Sequence, residues 1–108
     1  MALPEKIPNV AVTLKANVYF DGKVVSHSIH FADGTRKTIG IIYPGTFTFD
    51  TASAERMEII AGSCRVCMPS WGNEWKTVKS GEAFGVAAHS AFQIAVDAGI
   101  AEYLCSYE

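Results

Sequence analysis

The chain has 108 residues, enough to build one hydrophobic core and too few for two, so we expect a single folded domain. Hydrophobic residues make up 49% of the chain and charged residues 19%, a balance that excludes an intrinsically disordered protein. The formal net charge is −2 with both signs scattered, which excludes the basic surface of a protein that binds nucleic-acid polymers or anionic membranes.

The amino-terminal segment, residues 1–16, differs from the rest of the chain. Its sequence, MALPEKIPNVAVTLKA, contains two prolines and lacks the basic stretch and following apolar run of a signal peptide. We expect an arm that lies across the domain or across another subunit, followed by one domain over residues 17–108. No apolar run in the chain approaches the roughly 18 residues that a membrane-spanning helix needs.

Glycine-containing turns divide the rest of the chain into short segments. Asp21-Gly22, Asp33-Gly34 and Pro44-Gly45 favour tight turns, because glycine accepts a positive φ without steric cost. The segments between the turns are rich in β-branched and aromatic residues. They predict nine strands, in chain order VVSHSIHF, RKTIGIIY, TFTFD, MEIIA, CRVCMP, EWKTVK, AFGVAA, AFQIAV and AEYLCSY. This pattern predicts an all-β sandwich or small barrel.

The three cysteines, Cys64, Cys67 and Cys105, form an odd set, which predicts free thiols, a reducing compartment and a cytoplasmic location. Cys64 and Cys67 have the CxxC spacing found in redox and metal sites. On a strand, however, residues three apart point to opposite faces. We therefore favour two semi-buried thiols, since a metal would need further ligands nearby.

Strand alternation brings one carboxylate to the expected interior. Phe47 and Phe49 share one face of their strand, and Glu55, Met57 and Ile59 share one face of the next. If these apolar faces point inward, Glu55 lies at the rim of the interior, where a carboxylate is costly unless it is solvated, paired or hydrogen-bonded. Glu55 is therefore a candidate functional residue, and a solvated acid at a turn is the alternative.

Two segments, YPGTFTFDTASAERMEIIAGSCRV and SGEAFGVAAHSAFQIAV, resemble the two signature segments of cupins. The resemblance implies an all-β, single-domain cupin, which is a double-stranded β-helix or jelly-roll barrel. In metal-binding cupins these segments carry three histidines and a glutamate. Here the glutamate position is Glu55 and the closing glycine is Gly62, while the histidine positions fall on the TFTFDT strand and at or near Phe92. His89 lies close to the third position but has the opposite parity, so we expect no metal site.

A closer resemblance covers residues 17–107. NVYFDGKVVSHSI, RKTIGIIYPGTFTFDT, ERMEIIAG and WKTVKSGEAFGVAAHSAFQIAV, followed by the YLCSY strand, look like the small cupins known as pyrimidine/purine nucleoside phosphorylases. The resemblance implies metal-independent phosphorolysis of purine and pyrimidine nucleosides to free base and ribose 1-phosphate. The resemblance also implies that the reaction uses no cofactor and that inorganic phosphate acts as a co-substrate. The chain departs from the family where VAAHS replaces a turn usually written with proline, and in its additional arm.

This reaction needs donors for phosphate and a group that steadies the sugar. Arg36 and Lys37 follow a glycine turn, and because adjacent strand residues diverge we favour Arg36 as the phosphate ligand. Glu55 would accept hydrogen bonds from ribose hydroxyls and balance positive charge that develops on the sugar. The predicted catalytic residues are therefore Glu55 and Arg36.

The predicted substrate-binding residues combine aromatic cavity walls with the polar groups of the second signature segment. Stacking on aromatic walls tolerates every base, because all bases have a π-face. His89 is also a candidate proton donor to a departing base. The predicted set is Tyr43, Phe47, Phe49, Phe92, Gln93 and His89.

The sequence leaves two other functions open. One is a non-catalytic cupin that binds a small molecule in the same cavity, and the other is a metal-dependent oxygenase or isomerase. Exposed strand edges and the high content of hydrophobic residues also predict a homodimer, since small jelly rolls often cover a sheet edge with a partner.

Overall fold

The computed structural model describes residues 4–108, within which eleven strands and two single-turn 3-10 helices occur. The helical turns are Phe20–Gly22 and Pro69–Trp71, and neither has the length needed to cross a membrane. The strands are β1 (Ala11–Val12), β2 (Asn17–Tyr19), β3 (Val24–His30), β4 (Arg36–Ile42), β5 (Gly45–Asp50), β6 (Glu55–Ala61), β7 (Ser63–Cys67), β8 (Trp75–Lys79), β9 (Ala83–Val86), β10 (Ala91–Val96) and β11 (Ala101–Tyr107). Each of the nine predicted segments overlaps one of the strands β3 to β11, so these predictions are confirmed.

The strands form two sheets whose order is that of a jelly roll. One sheet runs β1-β3-β4-β11-β6-β9, with β2 also paired to β3, and the other runs β5-β10-β7-β8. The paired strands are antiparallel throughout. The two runs β4-β11-β6-β9 and β5-β10-β7-β8 are the pair of four-stranded sheets that two Greek keys produce. The predicted all-β cupin fold is confirmed.

The core fills the space between the two sheets. Strand alternation points one face of each strand inward, and Val24, Ile42, Ile59, Val66 and Ile94 have no solvent-exposed area. Since aliphatic side chains of this size each contribute about 1.5–3 kcal/mol when buried, this layer stabilises the packing of one sheet on the other.

The described part of the arm pairs with its own domain. Ala11 and Val12 extend the larger sheet by pairing with His30 and Ile29 of β3. The Thr13 hydroxyl and the His30 ring nitrogen Nε2 form a hydrogen bond of 2.8 Å. Of the two placements expected for the arm, residues 11–12 therefore take the one across the domain itself. Residues 1–3 of the predicted arm lie outside the described residues.

Gly62 forms the tight connection between β6 and β7, and its replacement is expected to destabilise the protein. Its φ is +77°, and an added Cβ would overlap the carbonyl oxygen of Ile100. Gly62→Ala therefore combines left-handed strain with a backbone clash, and we expect a loss of about 2 kcal/mol or more in urea unfolding.

Gly99→Ala is the matched control for Gly62→Ala. Gly99 has a similar φ of +68°, but a Cβ there meets no atom within 4 Å. Gly99→Ala should lower the free energy of unfolding by only about 1 kcal/mol, which is the cost of placing an alanine in the left-handed region. Equal losses in the two variants would contradict the role assigned to the Ile100 carbonyl.

Candidate functional site

A cavity of about 430 Å³ lies between strands of both sheets. This volume is within the usual range for pockets that bind small molecules. Its lining comes from β2 and the turn after it (Asn17, Tyr19, Phe20), β3 and β4 (Ser26, Arg36, Thr38), β5 (Thr48, Phe49, Asp50), β6 (Glu55, Met57), β10 (Phe92) and β11 (Tyr103, Cys105, Tyr107).

Glu55 is the first residue of β6 and is half-buried at the cavity wall. The Cys105 thiol donates to its Oε1 with an S–O distance of 3.6 Å. Burial raises the pKa of the Glu55 carboxyl above its ordinary value, and the thiol hydrogen bond partly opposes this shift. Within residues 4–108, no basic side chain lies at ion-pair distance from this carboxyl. Its oxygens are therefore available to a ligand in the cavity.

Cys105 acts as a neutral donor toward Glu55. Burial, followed by the neighbouring Glu55 charge, raises the pKa of its thiol to about 12. A thiol that stays protonated at neutral pH is a poor nucleophile and a poor metal ligand. Cys64 and Cys67 are also free and buried, as expected for the CxxC segment. Within residues 4–108, no three His, Cys, Asp or Glu side chains converge as metal ligands.

Arg36, the first residue of β4, supplies a cation to the cavity. Its guanidinium carbon lies 4.4 Å from the centre of the Tyr107 ring. The neighbouring Lys37 does not line the cavity, and its ammonium instead lies 5.5 Å from the centre of the Phe31 ring. No carboxylate among residues 4–108 is within ion-pair distance of Arg36. Its N–H groups can therefore bind an anion.

A stacked pair of rings forms the apolar wall of the cavity. Phe49 and Phe92 are nearly parallel, with ring centres 5.3 Å apart, and Phe20 packs edge-on against Phe49. Phe47 is buried in the core beneath Phe20, with ring centres 5.0 Å apart, and does not line the cavity. A flat apolar wall of this kind suits a planar ring in a ligand.

Besides Phe47, three predicted site residues lie outside the cavity: Tyr43, Gln93 and His89. Tyr43 comes directly after β4 and continues the alternation that points Ile39 and Ile41 outward. Its side chain is 42% exposed. Gln93 is exposed on the opposite side of β10 from Phe92, and His89 occupies an exposed turn with a φ of +52°. This geometry does not support their predicted contacts with substrate.

Sequence reasoning missed most of the polar wall. The Asn17 side-chain amide donates to the Ser26 hydroxyl at 3.2 Å, and the hydroxyls of Thr38 and Tyr107 are 3.1 Å apart. In β11, Tyr103, Cys105 and Tyr107 share one face, a pattern visible in the sequence. That pattern does not say which face points into the cavity, because β11 has buried residues on both of its faces.

The cavity thus joins a flat apolar wall to a wall of hydroxyls that also carries two carboxyls, Asp50 and Glu55, and one guanidinium. Such a site suits a ligand that carries a planar ring at one end and oxygen-rich or anionic groups at the other. The thiol beside the carboxyl adds a hydrogen-bond donor and no nucleophile.

The chain is similar to proteins of one family along nearly its whole length. The family model for pyrimidine/purine nucleoside phosphorylase matches residues 14–107, a range that includes every residue lining the cavity. A protein of that name from Thiobacillus denitrificans is 51% identical over 102 residues, covering 94% of this chain and 97% of the relative. Another from Aromatoleum aromaticum is 50% identical over 107 residues, covering 99% of each chain.

Solved structures show the same fold. A protein of unknown function (DUF1255) from Acinetobacter sp. ADP1 superposes with a TM-score of 0.90 at 42% identity, covering 95% of this chain and 98% of that one. A second DUF1255 structure, from Acidithiobacillus ferrooxidans, has a TM-score of 0.79 at 22% identity and covers 98% of each chain. The similarity at this lower identity concerns the fold alone.

Proposed function

Because the chain belongs to the pyrimidine/purine nucleoside phosphorylase family, it is a nucleoside phosphorylase, and we propose that the cavity described above is its active site. In the reaction a phosphate oxygen bonds to C1′ of the ribose while the N-glycosidic bond breaks. The base leaves with the bonding electron pair and takes up a proton, which gives free base and ribose 1-phosphate. One observation carries the proposal: Arg36, Glu55 and the Phe49–Phe92 wall all line a single cavity.

The positions of these groups suggest a division of roles. Arg36 presents N–H donors with no carboxylate partner among the described residues, and guanidinium groups fit phosphate oxygens well. Glu55 accepts hydrogen bonds from the ribose hydroxyls and, when ionised, offsets positive charge that develops at C1′. Holding phosphate and C1′ in alignment also removes much of the entropic barrier, since aligned reactants reach effective molarities of about 10⁵ M or more.

The base would stack on the wall formed by Phe49 and Phe92. Stacking uses the π-face that purines and pyrimidines share, so it does not require a particular pattern of ring substituents. This wall supports broad base specificity as part of the proposal. Phe47 does not line the cavity and supports the aromatic wall only by packing against Phe20.

We expect the reaction to proceed without a metal ion or cofactor, because Arg36 can bind the phosphate and Glu55 can bind the ribose hydroxyls. Among residues 4–108, the acidic and thiol groups that line the cavity are Asp50, Glu55 and Cys105, and no imidazole lines it. Dialysis against EDTA should leave phosphorolysis unchanged. Loss of activity on chelation and its return with one added transition metal would contradict metal independence and favour the metal-dependent alternative.

The decisive test of the function is a product assay. Inosine and uridine incubated with the protein and phosphate should each release free base together with an equal amount of ribose 1-phosphate. Without phosphate, no base should be released. No product with either nucleoside at high protein concentration, combined with saturable nucleoside binding, would instead identify a non-catalytic binding protein.

The outer face of the larger sheet supports the proposed homodimer. It carries an apolar groove of about 550 Å³ in which Val12, Ile39 and Ile60 are between 37% and 48% exposed. Contiguous exposed apolar surface of this kind marks protein interfaces. Light scattering should give twice the chain mass of 11.7 kDa, and Ile39→Lys should yield the monomer. A monomeric wild-type protein would contradict the dimer.

A cytoplasmic location completes the proposal. It is supported by three cysteines that are free and buried, as expected for a protein folded in a reducing compartment. Fractionation of the source cells should recover the protein with the cytoplasmic markers.

A further inference from the structure

We propose that Tyr107 is a positioning residue that holds the Arg36 guanidinium in place for phosphate, an assignment that rests on the proposed function. The guanidinium carbon lies 4.4 Å from the centre of the Tyr107 ring, well within the range of a cation–π contact. Both side chains line the cavity. Tyr107 is the last residue of β11, the final strand of the jelly roll.

The Tyr107 ring is itself held in a fixed position. Its hydroxyl is 3.1 Å from the hydroxyl of Thr38, a residue only 4% exposed on the neighbouring strand β4. The ring also packs against the hydrophobic core. Burial raises the pKa of the Tyr107 hydroxyl, so the group stays neutral and the hydrogen bond to Thr38 persists through the physiological range. The ring is thus a rigid platform beneath a flexible arginine.

The contact with the Tyr107 ring uses none of the carboxylate or phosphate acceptors that the Arg36 N–H groups can bind. A cation–π contact uses the face of the guanidinium, whereas its N–H donors lie in the plane. No carboxylate among residues 4–108 is within 4.0 Å of these donors. An exposed arginine normally loses side-chain entropy when it binds an anion, and restraint before binding lowers that cost. Tyr107 therefore strengthens phosphate binding without touching phosphate.

The first experiment separates KM from kcat in Tyr107 variants. Tyr107→Leu removes the ring, and we expect the KM for phosphate to rise about tenfold while kcat at saturating phosphate stays within about threefold. Tyr107→Phe keeps the ring and its core packing, so its KM should stay within about threefold of the wild-type value. Recovery by phenylalanine identifies the ring as the active element.

Trp75→Leu provides a matched control. Trp75 lies beneath Arg65 with the guanidinium carbon 5.1 Å from its ring centre, and neither residue lines the cavity. Its loss removes a cation–π pair elsewhere in the fold and should leave the KM for phosphate unchanged. An equal increase in KM in this variant would show a general loss of stability and overturn the assignment.

A second measurement uses inorganic phosphate alone and needs no turnover. Phosphate should raise the melting temperature of the wild-type and Tyr107→Phe proteins, and this shift should be much smaller in Tyr107→Leu. If the leucine variant does not fold, Tyr107→Met tests the same loss of the ring. An unchanged phosphate shift and an unchanged KM without the ring would overturn the assignment. Absence of phosphorolysis in the wild type would instead refute the proposed function, while the binding result still tests Tyr107.

Discussion

Glu55→Gln is expected to lower kcat for phosphorolysis by about a hundredfold, which corresponds to about 2.7 kcal/mol of lost transition-state stabilisation. The substitution keeps the size of the side chain and removes the negative charge that, in the proposed mechanism, offsets positive charge on the ribose. The KM for phosphate should change little, because Glu55 makes no ion pair with Arg36. Steady-state kinetics with inosine and uridine measure both quantities.

Glu58→Gln is the control for the loss of a carboxylate from the same strand. Glu58 does not line the cavity, and its Oε1 lies 3.8 Å from the Arg56 Nε. The Arg56 side chain is exposed and Glu58 is partly buried, and surface pairs contribute about 0–1 kcal/mol, so activity should be retained. If both variants lost activity equally, Glu55 would have no special role.

Glu55→Gln should also change the dependence of stability on pH. The folded-state pKa of Glu55 is raised by burial, so the folded protein binds this proton more tightly than the unfolded chain does. The stability that Glu55 contributes is therefore present below its unfolded pKa of about 4.5 and is lost as pH rises through the folded pKa. The glutamine variant should melt at a higher temperature than the wild type at pH 7, and this difference should disappear below pH 4. A lower melting temperature at pH 7 would indicate a stabilising partner for the carboxylate.

Arg36→Gln is expected to raise the KM for phosphate by about 30-fold. A hydrogen bond to a charged group contributes about 1.5–3 kcal/mol, and replacement of Arg36 removes both the charge and the paired donors. Arg36→Lys should recover only part of the affinity, because an ammonium lacks the planar pair of donors. Initial rates at varied phosphate and saturating nucleoside give this KM directly.

Lys37→Gln is the control for the loss of positive charge near the cavity. Lys37 is adjacent in sequence but lies over Phe31, away from the cavity lining. The KM of the Lys37→Gln variant for phosphate should stay within about twofold of the wild-type value, since solvent and salt screen a charge that lies away from the bound phosphate. If Lys37→Gln raised the KM as much as Arg36→Gln, phosphate would be attracted by general charge and not by a defined guanidinium site.

The sequence by itself determined the nine strands from β3 to β11 and the inward face of the strand that begins at Glu55. Turn residues and β-branched segments act locally, so they predicted nine of the strands within a few residues. Period-two alternation also put Phe47 and Phe49 on one face and Arg36 and Lys37 on opposite faces, because parity holds along any regular strand, but it did not say which of these residues line the cavity. The similarity to cupin signatures supplied the jelly-roll order that local pattern alone did not.

Only the tertiary structure decided which groups meet across the cavity. Parity gives two faces per strand but not the distance between residues on different strands. For this reason Phe47, on the same face as Phe49, lies in the core, and Tyr43 lies on the outer face of its sheet. The Tyr107–Arg36 and Cys105–Glu55 contacts join residues more than 45 positions apart in the chain, so they exist only once the final strand has paired with β4 and β6.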